Sequence, residues 1–252
     1  MPEPTRILVV DDEPPVCKSV SSALVTEKYA VDTALSAEEA LRKAEGTEYD
    51  VVITDLMMPR LSGMDLLKIV SESMPRTKVI MITGYPSVKT AVEAMRLGAF
   101  DYIPKPFTPK ELRGLVSRAL ESRRYQAEKD ITPPHGIYCI PENSWAAIDQ
   151  GGGVRVGAHH VFLKAIPQIT FIELPREGEM KYQGEACAKL TDSRGYVHKV
   201  WAPVSGRVLT VNDSVKSDFA TLLRDPYGEG WLFMVAPTDL EDDLKNLVAV
   251  AH

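Results

Sequence analysis

Ile7-Leu8-Val9-Val10-Asp11-Asp12-Glu13-Pro14 sets an apolar run without polar alternation against an acidic pair, and related patterns recur along the first half of the chain. Asp55 closes Val51-Val52-Ile53-Thr54, Thr83 closes Val79-Ile80-Met81-Ile82, and Lys105 follows Tyr102-Ile103-Pro104. Uninterrupted Val and Ile runs suit strands of a parallel sheet covered on both faces, and the carboxyl ends of such strands form the binding crevice. Each of these polar residues is therefore expected at one edge of one sheet.

Helix signals lie between the runs. Pro14 suits a first helical turn, where its missing N–H is harmless. Ser36-Ala37-Glu38-Glu39 is a capping box with Gly46 as a stop. Val88, Ala91, Val92 and Met95 recur at helical spacing before Gly98. Thr108-Pro109-Lys110-Glu111 is a further capping box, followed by the stripe Leu112, Leu115, Val116, Ala119 and Leu120. Short apolar runs alternating with helices predict a doubly wound, parallel, five-stranded α/β sheet.

If the sheet gathers the strand ends, the set is that of a phosphoryl-transfer site. Carboxylates about 5 Å apart repel by roughly 3 kcal/mol at an effective dielectric near 20, so Asp11, Asp12 and Asp55 together need compensation. Mg2+ supplies it, because it prefers hard oxygen ligands and commonly takes one or two carboxylates together with waters and phosphate oxygens. Asp12 and Asp55 are the expected direct ligands, Asp11 acts through water, and the Met57 carbonyl completes the set. Asp55 is then the carboxylate nucleophile, with Lys105 and the Thr83 hydroxyl holding the new phosphoryl oxygens. Alone, Asp11-Asp12 would read as a helix cap, Asp55 and Thr83 as turn residues, and Lys105 as a solvated charge. Their conjunction decides for chemistry. Tyr102 alone reads as a core aromatic.

The motifs Val-Val-Asp-Asp-Glu, Ile-Thr-Asp-Leu-Met-Met-Pro, Met-Ile-Thr-Gly-Tyr and Pro-Lys-Pro-Phe stand in an order and spacing that resemble response-regulator receiver domains of the CheY-like fold. The resemblance covers residues 5 to about 125, and Thr83 to Phe107 is most similar to NtrC-like receivers. It implies the flavodoxin-like strand order, a sensor histidine kinase as phosphoryl donor, and a cis Lys105-Pro106 bond. It also implies a switch in which Thr83 moves toward the phosphoryl group and Tyr102 turns inward, remodelling the surface of the fourth helix and fifth strand. In this family, residues two beyond the acceptor and two beyond the threonine tune slow self-hydrolysis. Here they are Met57 and Tyr85, neither of which offers a carboxylate or amide, so a long-lived phosphate is expected. The long last helix leaves room for a homodimer through the receiver.

At 252 residues, with 44% hydrophobic and 25% charged residues, the chain has the composition of a soluble globular protein and the length of two domains. No basic leader and no apolar run of spanning length is visible, which predicts a cytoplasmic protein and no membrane partner. Cys17, Cys139 and Cys187 are too far apart for a disulfide framework or zinc pattern and read as small buried residues. Residues 1–125 carry 17 basic and 18 acidic groups, and residues 126–252 carry 12 and 17. That balance disfavours nucleic acid, whose phosphates need concentrated positive charge.

Beyond the charged stretch 121–130, Thr132-Pro133-Pro134-His135-Gly136 breaks the helix, giving a receiver at 1–125, a linker at 126–136 and a second domain at 137–252. Closely spaced turns among β-branched and aromatic residues predict a small all-β sandwich or barrel, ending in an amphipathic helix over 238–250 with Leu240, Leu244 and Leu247 on one side. His159-His160 reads as a strand pair facing opposite sides, hence structural or exposed and not a metal site. Trp145, Trp201 and Trp231 read as packing residues, and no nucleophile–base–acid trio is recognisable in this half.

Phe171-Ile172-Glu173-Leu174-Pro175-Arg176-Glu177-Gly178, Trp201-Ala202-Pro203-Val204-Ser205-Gly206-Arg207-Val208 and Asp225-Pro226-Tyr227-Gly228-Glu229-Gly230-Trp231 resemble, in this order, the glycine cleavage H protein, a lipoyl-carrier barrel-sandwich fold. The family carries lipoate on a hairpin-tip lysine. Counting back from Pro203 places that position at Gly195, in Asp192-Ser193-Arg194-Gly195-Tyr196, and glycine has no amine. The expectation is a phosphorylated response regulator whose carrier scaffold is reused to bind an output protein. The alternative is a phosphorylation-regulated lipoyl or acyl carrier modified at Lys199 or Lys189.

Overall fold

The computed structural model describes residues 4–25, 29–85, 87–125 and 133–250, which form two compact units. In the first half the order is β1 (Thr5–Val10), α1 (Pro14–Leu24), β2 (Tyr29–Ala34), α2 (Ala37–Gly46), β3 (Val51–Asp55), α3 (Gly63–Ser73), β4 (Lys78–Thr83), α4 (Val88–Arg96), β5 (Asp101–Pro104) and α5 (Pro109–Tyr125). The strands pair in parallel in the order β2-β1-β3-β4-β5, the flavodoxin-like arrangement. Ile7, Val9, Val51, Ile53, Ile80 and Ile82 alternate onto one face and pack against Cys17, Val20 and Leu24 of α1 and Leu112, Val116 and Ala119 of α5. Their alternating neighbours Leu8, Val10, Val52 and Met81 are equally buried, as strands sandwiched between helix layers require.

At Ser36 half of the expected capping box forms: its side chain accepts from the Glu39 N–H, but the Glu39 carboxylate reaches back one residue further, to Leu35 N. At Thr108 the box is reciprocal with Glu111. A further box, Ser62 with Asp65, starts α3 and was not anticipated. Arg118 of α5 forms a fully buried ion pair with Asp101 and lies over the Phe100 ring. Pairs of this kind add little net stability but are costly to break.

The second half of the chain contains β6 (Ile137–Ile140), β7 (Ser144–Ile148), β8 (Val154–Ala158), α6 (His160–Lys164), β9 (Ile169–Glu173), β10 (Met180–Lys181), β11 (Ala186–Asp192), β12 (Val197–Trp201), β13 (Gly206–Val211), α7 (Ser214–Ser217), α8 (Ala220–Arg224), β14 (Trp231–Pro237), α9 (Leu240–Lys245) and β15 (Val248–Ala249). Seven strands form one antiparallel sheet, β10-β13-β14-β8-β7-β6-β15, and three form another, β12-β11-β9. The Asn143 side chain covers the outer edge of β12, donating to the Lys199 carbonyl at 3.2 Å and accepting from Trp201 N at 2.8 Å.

Two expectations for this half are corrected. The terminal helix over 238–250 is only α9, which ends at Lys245 before the chain leaves as β15 to pair with β6; within α9 the Asp243 side chain turns inward and accepts from Ser205 N at 2.6 Å. His159 and His160 are not a strand pair: His159 caps α6, accepting from Val161 N at 3.3 Å, and the two rings lie 4.5 Å apart. All three cysteines are buried and free. Most of the expected linker, 126–132, lies outside the described residues. No helix among the described residues is long and apolar enough to cross a membrane.

Candidate functional site

Parallel register gathers the predicted residues. Val10 stands opposite Thr54, Asp55 opposite Ile82, and Thr83 opposite Pro104. Asp11, Asp55, Thr83 and Lys105 therefore end neighbouring strands at one sheet edge. Lys105 N donates to the Thr83 carbonyl at 2.7 Å, and the Lys105-Pro106 bond is cis.

The Lys105 ammonium donates to Asp55 Oδ1 at 2.7 Å and to Asp11 Oδ2 at 2.9 Å. The second oxygen of each carboxylate accepts from a main-chain N–H two residues on: Met57 N to Asp55 Oδ2 at 2.6 Å, Glu13 N to Asp11 Oδ1 at 2.9 Å. Asp11 is 2% exposed and Asp55 7%. Carboxylates so withdrawn from water need these partners. Burial pulls the Lys105 pKa down, but the hydrogen bonds and charges of Asp11 and Asp55 outweigh it and hold the ammonium above its ordinary range.

Around this centre, Thr83 is buried and its Oγ1 accepts from Tyr85 N at 3.0 Å, so its hydroxyl proton stays available for donation. Tyr102 is buried at 4% exposure, whereas Met57 and Tyr85 stand out in solvent. The Cys17 thiol of α1 shares its one proton between the Asp11 carbonyl at 3.4 Å and the Ala34 carbonyl at 3.6 Å. Burial, helped by the Asp11 charge, raises its pKa and keeps it protonated. A Cβ on Gly63 would stand 2.0 Å from the Asp55 carbonyl oxygen, so only glycine lets α3 start there. The sequence marks Cys17 only as a small buried residue and does not attach Gly63 to the site. The pattern Ser62-Gly63-Met64-Asp65 was a readable cap signal for Gly63, and nothing local ties Cys17 to the site.

Among the described residues, no three acidic, histidine or cysteine side chains form a ready metal cage, and Lys105 takes up one oxygen of both Asp11 and Asp55. The donor set still fits a hard divalent cation. Asp12 is exposed with no hydrogen-bonding partner among the described residues, and Asp11, Asp12 and Asp55 against Lys105 leave a net charge of −2.

In the second unit the hairpin tip is built around Asp192, which is almost fully buried. Its Oδ1 accepts from Arg194 N and Tyr196 N, both at 2.9 Å, and its Oδ2 from Arg194 NH2 at 3.0 Å, with His198 Nε2 at 3.4 Å. Burial raises the Asp192 pKa, yet these hydrogen bonds outweigh it and hold the carboxyl below its ordinary range. Gly195 takes φ 74° at the tip. Lys189 and Lys199 face each other down the strands, away from the tip, and Lys189 pairs with Glu173 at 2.7 Å.

Two family models match the chain: the response regulator receiver domain over residues 7–117 and the glycine cleavage H-protein over residues 137–252. The nitrogen assimilation regulatory protein NtrX of Azorhizobium caulinodans is 37% identical over 155 residues, covering 58% of this chain and 34% of that protein. The chain thus spans about a third of that relative's length. The transcriptional regulatory protein ResD of Bacillus subtilis is 31% identical over 219 residues, covering 84% of each chain. A glycine cleavage system H protein from Mycobacterium marinum is 33% identical, covering 47% of this chain and 89% of its own, with a TM-score of 0.39. The chain belongs to the response regulator family, with a receiver domain in its first half and a glycine cleavage H-protein-like domain in its second.

Proposed function

We propose that the chain is a two-component response regulator in which Asp55 accepts a phosphoryl group from a sensor histidine kinase, and in which the H-protein-like domain acts through a protein partner instead of carrying lipoate. The receiver spans 1–125, the linker 126–136 and the output domain 137–252. The observation that carries this reading is one ammonium, Lys105, held between the carboxylates of Asp11 and Asp55 at a parallel-sheet edge.

Bound Mg2+ would neutralise the acidic cluster and the incoming phosphoryl oxygens, with Asp12, Asp55 and the Met57 carbonyl as direct donors and Asp11 acting through water. Asp55 attacks phosphorus through a carboxylate oxygen; a P–O bond forms as the P–N bond to the donor histidine breaks, and the nitrogen keeps the electron pair. Lys105 then turns to the new phosphoryl oxygens, and the Thr83 hydroxyl donates to another. Drawing Thr83 in frees space for the Tyr102 ring, so phosphorylation selects between two arrangements of the receiver. Met57 and Tyr85 present no group that activates water, which favours slow self-dephosphorylation. The chain is thus a phosphoacceptor and not an enzyme with a turnover substrate, and a homodimer through the receiver's fourth or fifth helix belongs to the same reading.

Gly195 supports the non-carrier role, since it has no amine and sits in a turn organised by Asp192. Acetyl phosphate with Mg2+ is expected to add one phosphoryl group per chain by intact mass, and none to Asp55→Asn. An unmodified parent at saturating Mg2+ overturns the receiver reading. A lipoyl adduct on Lys189 or Lys199 after coexpression with a lipoate ligase overturns the output reading.

A further inference from the structure

The acidic loop between β1 and α1 must hold Asp11 in place although β1 ends at Val10, so the Asp11 carbonyl lies one residue beyond the strand. Asp11 N still donates to the Ala34 carbonyl at 3.2 Å, at the end of β2. The Cys17 thiol then reaches both carbonyls, Asp11 at 3.4 Å and Ala34 at 3.6 Å, from the second turn of α1. Cys17 is 3% exposed, so water cannot take over this role. The other face of the same residue is functional, because Asp11 Oδ2 holds Lys105 and Asp11 Oδ1 holds the Glu13 N–H.

We infer that Cys17 is a positioning residue: its thiol ties α1 to the main chain at the ends of β1 and β2 and thereby sets the placement of the Asp11 carboxylate against Lys105. The inference rests on the phosphoacceptor reading for its functional meaning, while its geometric content is independent of metal and phosphate. A cysteine used only as core filler would contribute through volume. A strut contributes through its donor. These roles separate experimentally, because valine and alanine both delete the donor but change volume in opposite directions, and serine keeps a donor.

The test compares Cys17→Val, Cys17→Ala and Cys17→Ser with the parent as full-length chains. Amide hydrogen exchange is read at Asp11 and Glu13, with Asp50 and Lys78 at the opposite edge of the sheet as internal controls. Valine and alanine are expected to speed exchange at Asp11 and Glu13 relative to the controls by about threefold, the low end for one net hydrogen bond because a thiol is a weak donor. Serine is expected to stay nearer the parent than either. Unchanged relative exchange in valine and alanine, or serine behaving like valine, overturns the strut. The functional consequence is read with Mg2+ alone, followed through amide shifts of Leu56 and Met57: weaker affinity in valine and alanine supports the inference, and parental affinity in both overturns its link to the site. A parent that binds no Mg2+ contradicts the phosphoacceptor reading instead, and leaves the exchange result to decide on Cys17.

Discussion

Gly63 touches the backbone of Asp55: a Cβ added to Gly63 would lie 2.0 Å from the Asp55 carbonyl oxygen and 2.9 Å from its carbonyl carbon. The obstacle is main chain, so it cannot be relieved by a rotamer change. Gly63→Ala is therefore expected to destabilise the receiver by about 1–3 kcal/mol, the usual range for overpacking, and to displace Asp55. Thermal unfolding reads the first effect and acetyl phosphate labelling the second. An alanine variant with parental melting and labelling would contradict the contact.

Replacing Lys105 leaves Asp11 and Asp55 facing each other without their shared cation. Lys105→Met should bind Mg2+ more tightly than the parent, since less positive charge opposes the metal, yet accumulate less phosphorylated product because its oxygens lose their ammonium partner. Intact mass and a Mg2+ titration read the two in parallel. Equal or weaker metal binding would deny Lys105 its electrostatic place.

The same lysine has an alkaline signature. Its folded pKa is raised above the ordinary value of 10.5 by the two carboxylates, after burial has opposed them. The unfolded chain therefore loses this proton first, and the stability contributed by the pair is complete below about pH 10 and fades only as pH rises through the folded value. Receiver unfolding should show an alkaline loss that is absent in Lys105→Met.

The H-protein-like unit should be acid-sensitive through His159. Burial, and next the charge of His160, push the His159 pKa down to about 3 from 6.5. Its Nδ1 accepts from Val161 N, so protonation also removes a helix cap. The neutral form favours folding, and stability is expected to fall from about pH 6.5 toward pH 3, by at most about 1.4 kcal/mol per pH unit for one proton. His160, also lowered chiefly by burial, acts in the same direction. Tryptophan fluorescence isolates this unit, because Trp145, Trp201 and Trp231 are the chain's three tryptophans and all lie within it. His159→Asn keeps an acceptor for Val161 N without the titration, and an equally steep acid loss in that variant would remove His159 as the cause.

Asp192→Asn should loosen the hairpin tip. The carboxylate holds the Arg194 and Tyr196 amides and the Arg194 guanidinium, and charged hydrogen bonds of this kind contribute about 1.5–3 kcal/mol each when partly buried. Faster amide exchange at Arg194 and Tyr196, with exchange in β13 unchanged, is the expected pattern. A uniform change across the unit would point to general unfolding instead.

The first sheet was legible because its strands are apolar runs ending in polar residues, and because Ser36 and Thr108 announce helices with local capping chemistry. Lys105 could be placed at the edge from sequence, but its simultaneous grip on Asp11 and Asp55 depends on strand order, which no local pattern encodes. Strand periodicity fails at His159 because the chain turns there into α6, which His159 caps. Leu247 keeps helical spacing with Leu240 and Leu244, so the pattern extends the terminal helix, whereas the pairing of β15 with β6 that draws the chain away is a tertiary event. Gly63 and Cys17 matter for a common reason that local periodicity does not carry: each meets a main-chain carbonyl outside its own helix.

Asn143 answers the outer rim of β12 with its own amide, imitating one residue of an absent neighbouring strand. A short aliphatic side chain there would take this partner away from the Lys199 carbonyl and the buried Trp201 N–H, and a buried polar group that loses its partner costs about 1–3 kcal/mol. This one carboxamide therefore does from inside the molecule what a further strand would otherwise have to do, and the end of β12 is closed without one.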